Sequence, residues 1–279
     1  MKFIRVSYEG EELAGVVKDA VVIPIREINA SRGLTVPNDL LKIIQQDSIE
    51  QLRDVSLASL PGIPLSEVEL LLPYDVPPKI WCIGLNYKSH AEDIDAVQPE
   101  EPGSFMKPAS CMFRPGGEIV LPPPEVSNDV DAEGELGVII GKKCRFLAPE
   151  DVSAAIFGYT TTLDLTALDV LRKNPRYLTR AKSIDTFFSF GPVIVTADEV
   201  PDVDALEVIT GHNGGVCSRD FVRNMRTRPF ELVKFHSDFM TLYPGDLIST
   251  GCPKGARIKR GDRVQARIDG VGVLDATVL

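Results

Sequence analysis

Long apolar runs, paired cysteines and an excess of basic residues are all missing from this chain of 279 residues, and each absence removes a class of protein. The most apolar early stretch, residues 16–28, is broken by Lys18, Asp19, Pro24 and Arg26, so it does not read as a bilayer span. The opening Met1-Lys-Phe-Ile-Arg-Val-Ser-Tyr-Glu has neither the apolar core nor the cleavage signal of a secretory leader. A formal charge of −10 sets the surface against nucleic acids and anionic membranes, which are themselves polyanions. The five cysteines (Cys82, Cys111, Cys144, Cys217 and Cys252) are scattered and include no C-x-x-C pair. That is the usage of free thiols in a reducing cytoplasm rather than of a disulfide framework or a zinc site, and a soluble cytoplasmic protein is expected. No period of about 20–50 residues recurs, which excludes solenoids and propellers. Strands do not alternate regularly with helices, which argues against a Rossmann or TIM architecture.

What is present is enough for a proper core: 44% of residues are hydrophobic. The first segment reads as strand, turn, strand over residues 2–8, 13–17 and 20–23. Two short helices follow, one with Leu40, Leu41 and Ile44 on a face, the other opening at Ser48 with Leu52, Val55 and Leu60 at helical spacing. Prolines then cluster at Pro61, Pro64, Pro73, Pro77 and Pro78, which is linker chemistry. A small N-terminal domain, 1–72, and a larger domain, 73–279, are expected. The larger one is strand-rich, with helices near 86–96, 149–155, 166–172 and 229–241, the last striped by Leu232, Phe235, Phe239 and Leu242. The fold class expected is α+β, a mixed β-sheet roll.

Acid is concentrated where strands are expected. In Asp131-Ala-Glu-Gly-Glu-Leu-Gly-Val-Ile-Ile-Gly141 the alternation of Leu136, Val138 and Ile140 predicts a strand. Residues two apart in a strand share a face, so Glu133 and Glu135 project together. A second β-like run, Gly158-Tyr-Thr-Thr-Thr-Leu-Asp164, delivers an aspartate. Without His or Cys nearby, three carboxylates make an all-oxygen site that suits Mg²⁺ or Mn²⁺ better than zinc. Taken alone, a Glu-x-Glu strand fits an exposed acidic sheet edge equally well.

Six motifs in order extend this reading. Trp81-Cys-Ile-Gly-Leu-Asn-Tyr-Lys-Ser-His90-Ala, Phe105-Met-Lys-Pro108, Asp131-Ala-Glu-Gly-Glu-Leu136 and Gly158-Tyr-Thr through Asp164 come first. Lys182-Ser-Ile-Asp-Thr-Phe187 with Gly191-Pro, and Pro244-Gly-Asp through Thr250-Gly-Cys-Pro253, complete the set. Together they resemble the fumarylacetoacetate hydrolase family. The resemblance implies a mixed β-roll, a homodimer, and a Mg²⁺ or Mn²⁺ ion held by Glu133, Glu135 and Asp164. It also implies a small-molecule keto or diketo acid as substrate, processed through a metal-bound enolate. Hydrolysis of a C–C bond is the leading expectation, a lyase, decarboxylase or isomerase the alternative. A catalytically weak partner subunit retaining the fold is a third reading.

The same resemblance distributes roles. His90 is the candidate base, because an unperturbed imidazole titrates near neutrality. Asp93, one helical turn on, is its expected acid partner, with Glu92 as competitor. Lys182 is the expected oxyanion stabiliser, and Lys107 a lesser contact. His236 and His212 read as structural. Tyr159, Leu168, Leu171, Thr250 and Cys252 are expected at the substrate. Of these, Leu168, Leu171 and Cys252 replace an Arg, a Gln and a Thr usual in the resembled pattern, and Leu163 replaces an Asn. The polar segment 86–103 is expected to act as a lid that holds His90 away from the carboxylates when no ligand is bound.

Overall fold

The N-terminal meander forms as its pattern predicts. In the computed structural model, which describes residues 1–279, strands Lys2–Tyr8, Glu11–Lys18 and Val21–Pro24 pair antiparallel in succession. The first turn has positive φ at both Glu9 (51°) and Gly10 (83°), the geometry that matches the twist of a two-residue hairpin. A helix not anticipated from the sequence, Ile25–Arg32, follows directly; Pro24 caps it instead of breaking it, and Gly33 ends it in the left-handed conformation at φ 65°. The two short helices read from the sequence are present as Leu40–Gln45 and Glu50–Arg53.

Packing continues across residue 72. Lys2–Tyr8 hydrogen-bonds to Val193–Thr196, so the meander extends the large sheet. Phe3, Ile28 and Leu52 share one apolar core with Ile80, Phe105, Phe188 and Leu247. The large sheet runs on through Ile156–Ala167, Val130–Ile140, Leu247–Ser249, Ile80–Gly84 and Gly103–Met106, with one parallel pair, Leu247–Ser249 on Ile80–Gly84. A second sheet of five strands is built on Glu207–His212, Arg263–Ile268 and Gly272–Val278. The architecture is the expected α+β mixed roll, and no helix is long and apolar enough to cross a membrane.

The two long strands, Val130–Ile140 and Ile156–Ala167, pair antiparallel and are buried almost throughout. One face turns Ala132, Leu136, Leu163 and Leu165 toward the five-stranded sheet, where the Gly134 N–H donates to Thr210 Oγ1 at 3.1 Å. The Leu163 replacement is thereby explained as core. The other face presents Glu133, Glu135, Thr162, Asp164 and Thr166. Strands covered on both sides ordinarily read as continuous apolar runs, so acid on this buried face requires a reason beyond packing.

Two boundaries differ from expectation, and one helix is additional. Ile156–Ala167 runs on past Asp164, so the helix expected at 166 starts as Leu168–Lys173. A further short helix, Leu178–Lys182, carries Lys182. The C-terminal helix is Pro229–Phe239, so Leu242 lies beyond it, and its buried face is Leu232, Val233, His236 and Ser237, with Phe239 exposed. His236 is fully buried, with Nδ1 at 2.8 Å from Leu232 O, a packing role as read from the sequence.

Candidate metal and acid–base centre

Cross-strand register assembles the acids. Asp164 lies opposite Glu133 and Thr162 opposite Glu135, which puts all three carboxylates on one face within 4.8 Å of one another. Each is at least nine-tenths buried. Glu133 accepts from Thr166 Oγ1 at 2.6 Å and from Lys182 Nζ at 2.9 Å. Lys182 Nζ also reaches Asp164 Oδ2 at 2.8 Å, and lies 5.1 Å from the centre of the Phe105 ring. Glu135 accepts from Ser249 Oγ and from the Gly251 N–H at 2.9 Å. Gly251 has to be glycine: φ is 92°, and a Cβ would sit 2.9 Å from Asn86 Cβ.

Lys107, expected as a lesser contact, is central. Its fully buried ammonium binds Asp164 Oδ1 and donates to Leu165 O at 3.2 Å and Phe187 O at 2.7 Å. Three carboxylates against two ammoniums leave one negative charge in excess, and Glu135 shows it. Burial, Asp164 and Glu133 push its carboxyl up to about 8. Burial would also raise Glu133, but Lys182, His90 and Thr166 outweigh it and hold Glu133 below the usual carboxylate range. Burial would lower Lys182, yet Asp164, Glu133 and Glu135 keep it firmly protonated. An oxygen-only donor set whose carboxylates, once all are ionised, outnumber the ammoniums fits a hard divalent cation, Mg²⁺ or Mn²⁺, and Glu133, Glu135 and Asp164 are the residues that could hold it.

Beside the carboxylates lies a cavity of about 550 Å³. Glu133, Thr166, Lys182 and His90 line it, together with Leu168, Leu171 and Arg172 on one wall and Ile94, Ala96 and Phe105 on the other. His90 sits on the short helix Lys88–Asp93 and is 7% exposed. Burial lowers its pKa more than Glu133 raises it, so the imidazole is neutral at pH 7. The His90 ring lies within 4.8 Å of Glu133 and Cys252. The cause is a clamp on its helix, in which Ser89 Oγ donates to Pro253 O at 2.8 Å and Lys254 pairs with Asp93 at 2.6 Å.

That same pair orients Asp93 away from His90 in this structure. Its carboxylate is turned to Lys254, Glu92 is turned to Lys88 at 3.5 Å, and neither hydrogen-bonds His90. His90 Nδ1 instead faces Cys252 Sγ at 3.8 Å. Leu168 and Leu171 line the cavity, whereas Tyr159, Thr250 and Cys252 do not. Tyr159 is an odd number of residues from Asp164 and so lies on the opposite strand face, in the core with Leu136 and Val138. Thr250 Oγ1 donates to Leu136 O at 2.8 Å and is spent on the backbone. Two residues missed by the sequence reading are Thr166 and Ser249. Thr166 was findable, two residues beyond Asp164 on the same strand face; Ser249 reaches Glu135 only through strand pairing that no local pattern encodes.

The family model of the fumarylacetoacetate (FAA) hydrolase C-terminal domain matches residues 79–279. A mitochondrial oxaloacetate tautomerase of Homo sapiens is 36% identical over 251 residues, 86% of this chain and 79% of that protein. The maleylpyruvate hydrolase of Sphingobium sp. SYK-6, solved in complex with manganese (II) ion and pyruvate, has a TM-score of 0.82 at 29% identity, covering 100% of this chain and 99% of that one. The fumarylacetoacetate hydrolase of psychrophilic Exiguobacterium antarcticum reaches 0.85 at 29% identity, with the same coverage. A paired-carboxylate face buried beside a cavity, in a chain matched along most of its length by such enzymes, identifies it: the protein belongs to the fumarylacetoacetate hydrolase family and is an enzyme.

Proposed function

We propose that this enzyme moves a proton on a short keto acid, interconverting its keto and enol forms in the manner of an oxaloacetate tautomerase, with Mg²⁺ or Mn²⁺ held by Glu133, Glu135 and Asp164. The observation that carries this reading is His90: a neutral imidazole lining the cavity beside Glu133, with no carboxylate hydrogen-bonded to it. A divalent cation bound at the carboxylates supplies Lewis-acid polarisation of a keto-carboxylate. His90 takes the proton from the carbon next to the ketone and delivers it to the former ketone oxygen, which gives the enol, and in the reverse direction carries it back to carbon. Lys182, protonated and donating toward the same carboxylates, faces the negative charge that develops on the substrate oxygen. The apolar wall of Leu168 and Leu171 excludes water from this exchange.

The sequence placed C–C hydrolysis first. That reaction asks His90 to activate a water, a task helped by an acid behind the ring, and Asp93 is committed to Lys254. The relatives named as hydrolases keep hydrolysis as the second reading. Cytoplasmic placement and a homodimer remain part of the proposal, the first supported by five free thiols, three of them buried. The deciding experiment follows enol absorbance of oxaloacetate with Mg²⁺ or Mn²⁺, beside pyruvate release from acylpyruvates. Accelerated enol loss without cleavage supports the tautomerase; cleavage of acylpyruvates with no effect on oxaloacetate would hand the site to the hydrolase reading.

A further inference from the structure

We infer that His90, Cys252 and Glu133 form a second cation site, suited to a borderline-soft ion such as Zn²⁺ and sharing one carboxylate with the all-oxygen site. One donor atom from each lies within 4.8 Å of the other two. Exposures of 7% for His90, 4% for Glu133 and 1% for Cys252 place all three out of bulk water. A tetrahedral zinc ion, with Zn–S about 2.3 Å and Zn–N about 2.0 Å, holds sulfur and nitrogen about 3.5 Å apart. Cys252 Sγ and His90 Nδ1 are already 3.8 Å apart, and the thiol has no other hydrogen-bond partner.

The spacing is enforced by the chain. Cys252 follows Gly251, whose N–H donates to Glu135 and where an added Cβ would meet Asn86 Cβ at 2.9 Å and Ile83 O at 3.0 Å, so the backbone there is closely approached. The His90 helix is tied to the next residues of the same segment by Ser89 to Pro253 O and by Asp93 to Lys254. Thiol and imidazole are therefore held face to face before any ion arrives. The absence of C-x-x-C pairs excludes a structural zinc cluster, and this site is different in kind: three donors from three distant segments, with a coordination position left for water. On binding, the Cys252 S–H proton passes to solvent and the thiolate donates to the ion, with no change of oxidation state.

Sulfur and nitrogen donors discriminate against Mg²⁺, so the two sites differ in the ions they take. An ion here occupies His90 and draws Glu133 from the carboxylate set, which switches the centre off. That consequence, though not the binding, rests on His90 being the proton acceptor.

The test reads binding directly. Metal-stripped full-length protein is titrated with Co²⁺, a spectroscopic substitute for Zn²⁺. A near-ultraviolet thiolate-to-cobalt charge-transfer band is expected, bleached by added Zn²⁺, retained in Cys217→Ser and lost in Cys252→Ser. His90→Gln keeps the thiol and should shift or weaken the band, so the outcome does not hang on Cys252→Ser folding. No band in the native protein, or one unchanged by His90→Gln or surviving in folded Cys252→Ser, overturns the inference. Because no turnover is measured, a failure of the tautomerase assay is distinguishable from a failure of this site.

Discussion

At the scale of residues the centre is a charge problem solved by neighbours. Glu135 is the carboxyl that tolerates its position least, so its substitution separates metal binding from folding. Its folded pKa is raised from 4.5 to about 8, meaning the fold holds that proton more tightly than the unfolded chain does. The stability contributed by this group is therefore complete below its unfolded value and is lost as pH rises through about 8 in metal-free protein. Glu135→Gln should flatten that pH dependence and leave metal-free thermal stability undiminished, while abolishing the rise in melting temperature on adding Mg²⁺ or Mn²⁺. For the native protein, an ion at a hundred times its Kd should add about 2.7 kcal/mol. A Glu135→Gln protein that still gains stability from the ion would remove this residue from the metal set. His90 predicts a second pH effect. Its lowered pKa keeps the base unprotonated below the usual 6.5, so kcat/KM should stay level from there toward neutrality and fall only at more acid pH. His90→Gln should lower kcat by about 10²–10⁴-fold and erase that acid limb, whereas an unchanged limb would assign it to another group.

At the scale of elements, function depends on how closely strands approach and where they stop. Gly158 lies where Ile156–Ala167 meets Val193–Thr196, and a Cβ there would fall 2.1 Å from Val195 O. Since the obstacle is backbone, Gly158→Ala should cost about 1–3 kcal/mol, read as a lower denaturant midpoint at unchanged m. A neutral substitution would show that the strands can part freely. The extension of the same strand to Ala167 carries Thr166 to Glu133 and sets Leu168 at the cavity wall. Leu168→Arg should therefore reduce native turnover by placing an unpaired charge against an apolar wall, with a gain on short acylpyruvates as its mirror. Steady-state kinetics on both substrates check this, and unchanged selectivity would detach the wall from recognition.

At the scale of the whole molecule, residues 1–72 behave as part of the large sheet. Their first strand supplies the hydrogen-bonding edge for Val193–Thr196, and their helices cover Ile80, Phe105 and Phe188 beneath the centre. Deleting them should leave a protein that is insoluble or lacks a cooperative thermal transition, because it bares both a strand edge and a core face. A truncated 73–279 chain that melts cooperatively near the native temperature would establish an autonomous domain instead.

Much of this was legible before any coordinates. Period-two alternation placed Glu133 and Glu135 on one face and the β-rich pattern with interrupting helices indicated an α+β roll, because both are written in local spacing, while His90, Lys182 and Asp164 were marked by the resemblance of their ordered motifs to a family. Other features depended on residues far apart in the chain. The partnership of Asp93 with Lys254, the commitment of the Thr250 hydroxyl to Leu136 O and the reach of Ser249 to Glu135 all follow from which strands and segments meet. So does the burial of Lys107 on Asp164. Sequence by itself determined which residues share a face, since backbone geometry sets that from one residue to the next. Tertiary structure alone decided which charges share a site, since electrostatic partners are chosen by distance in space and by the water that packing excludes.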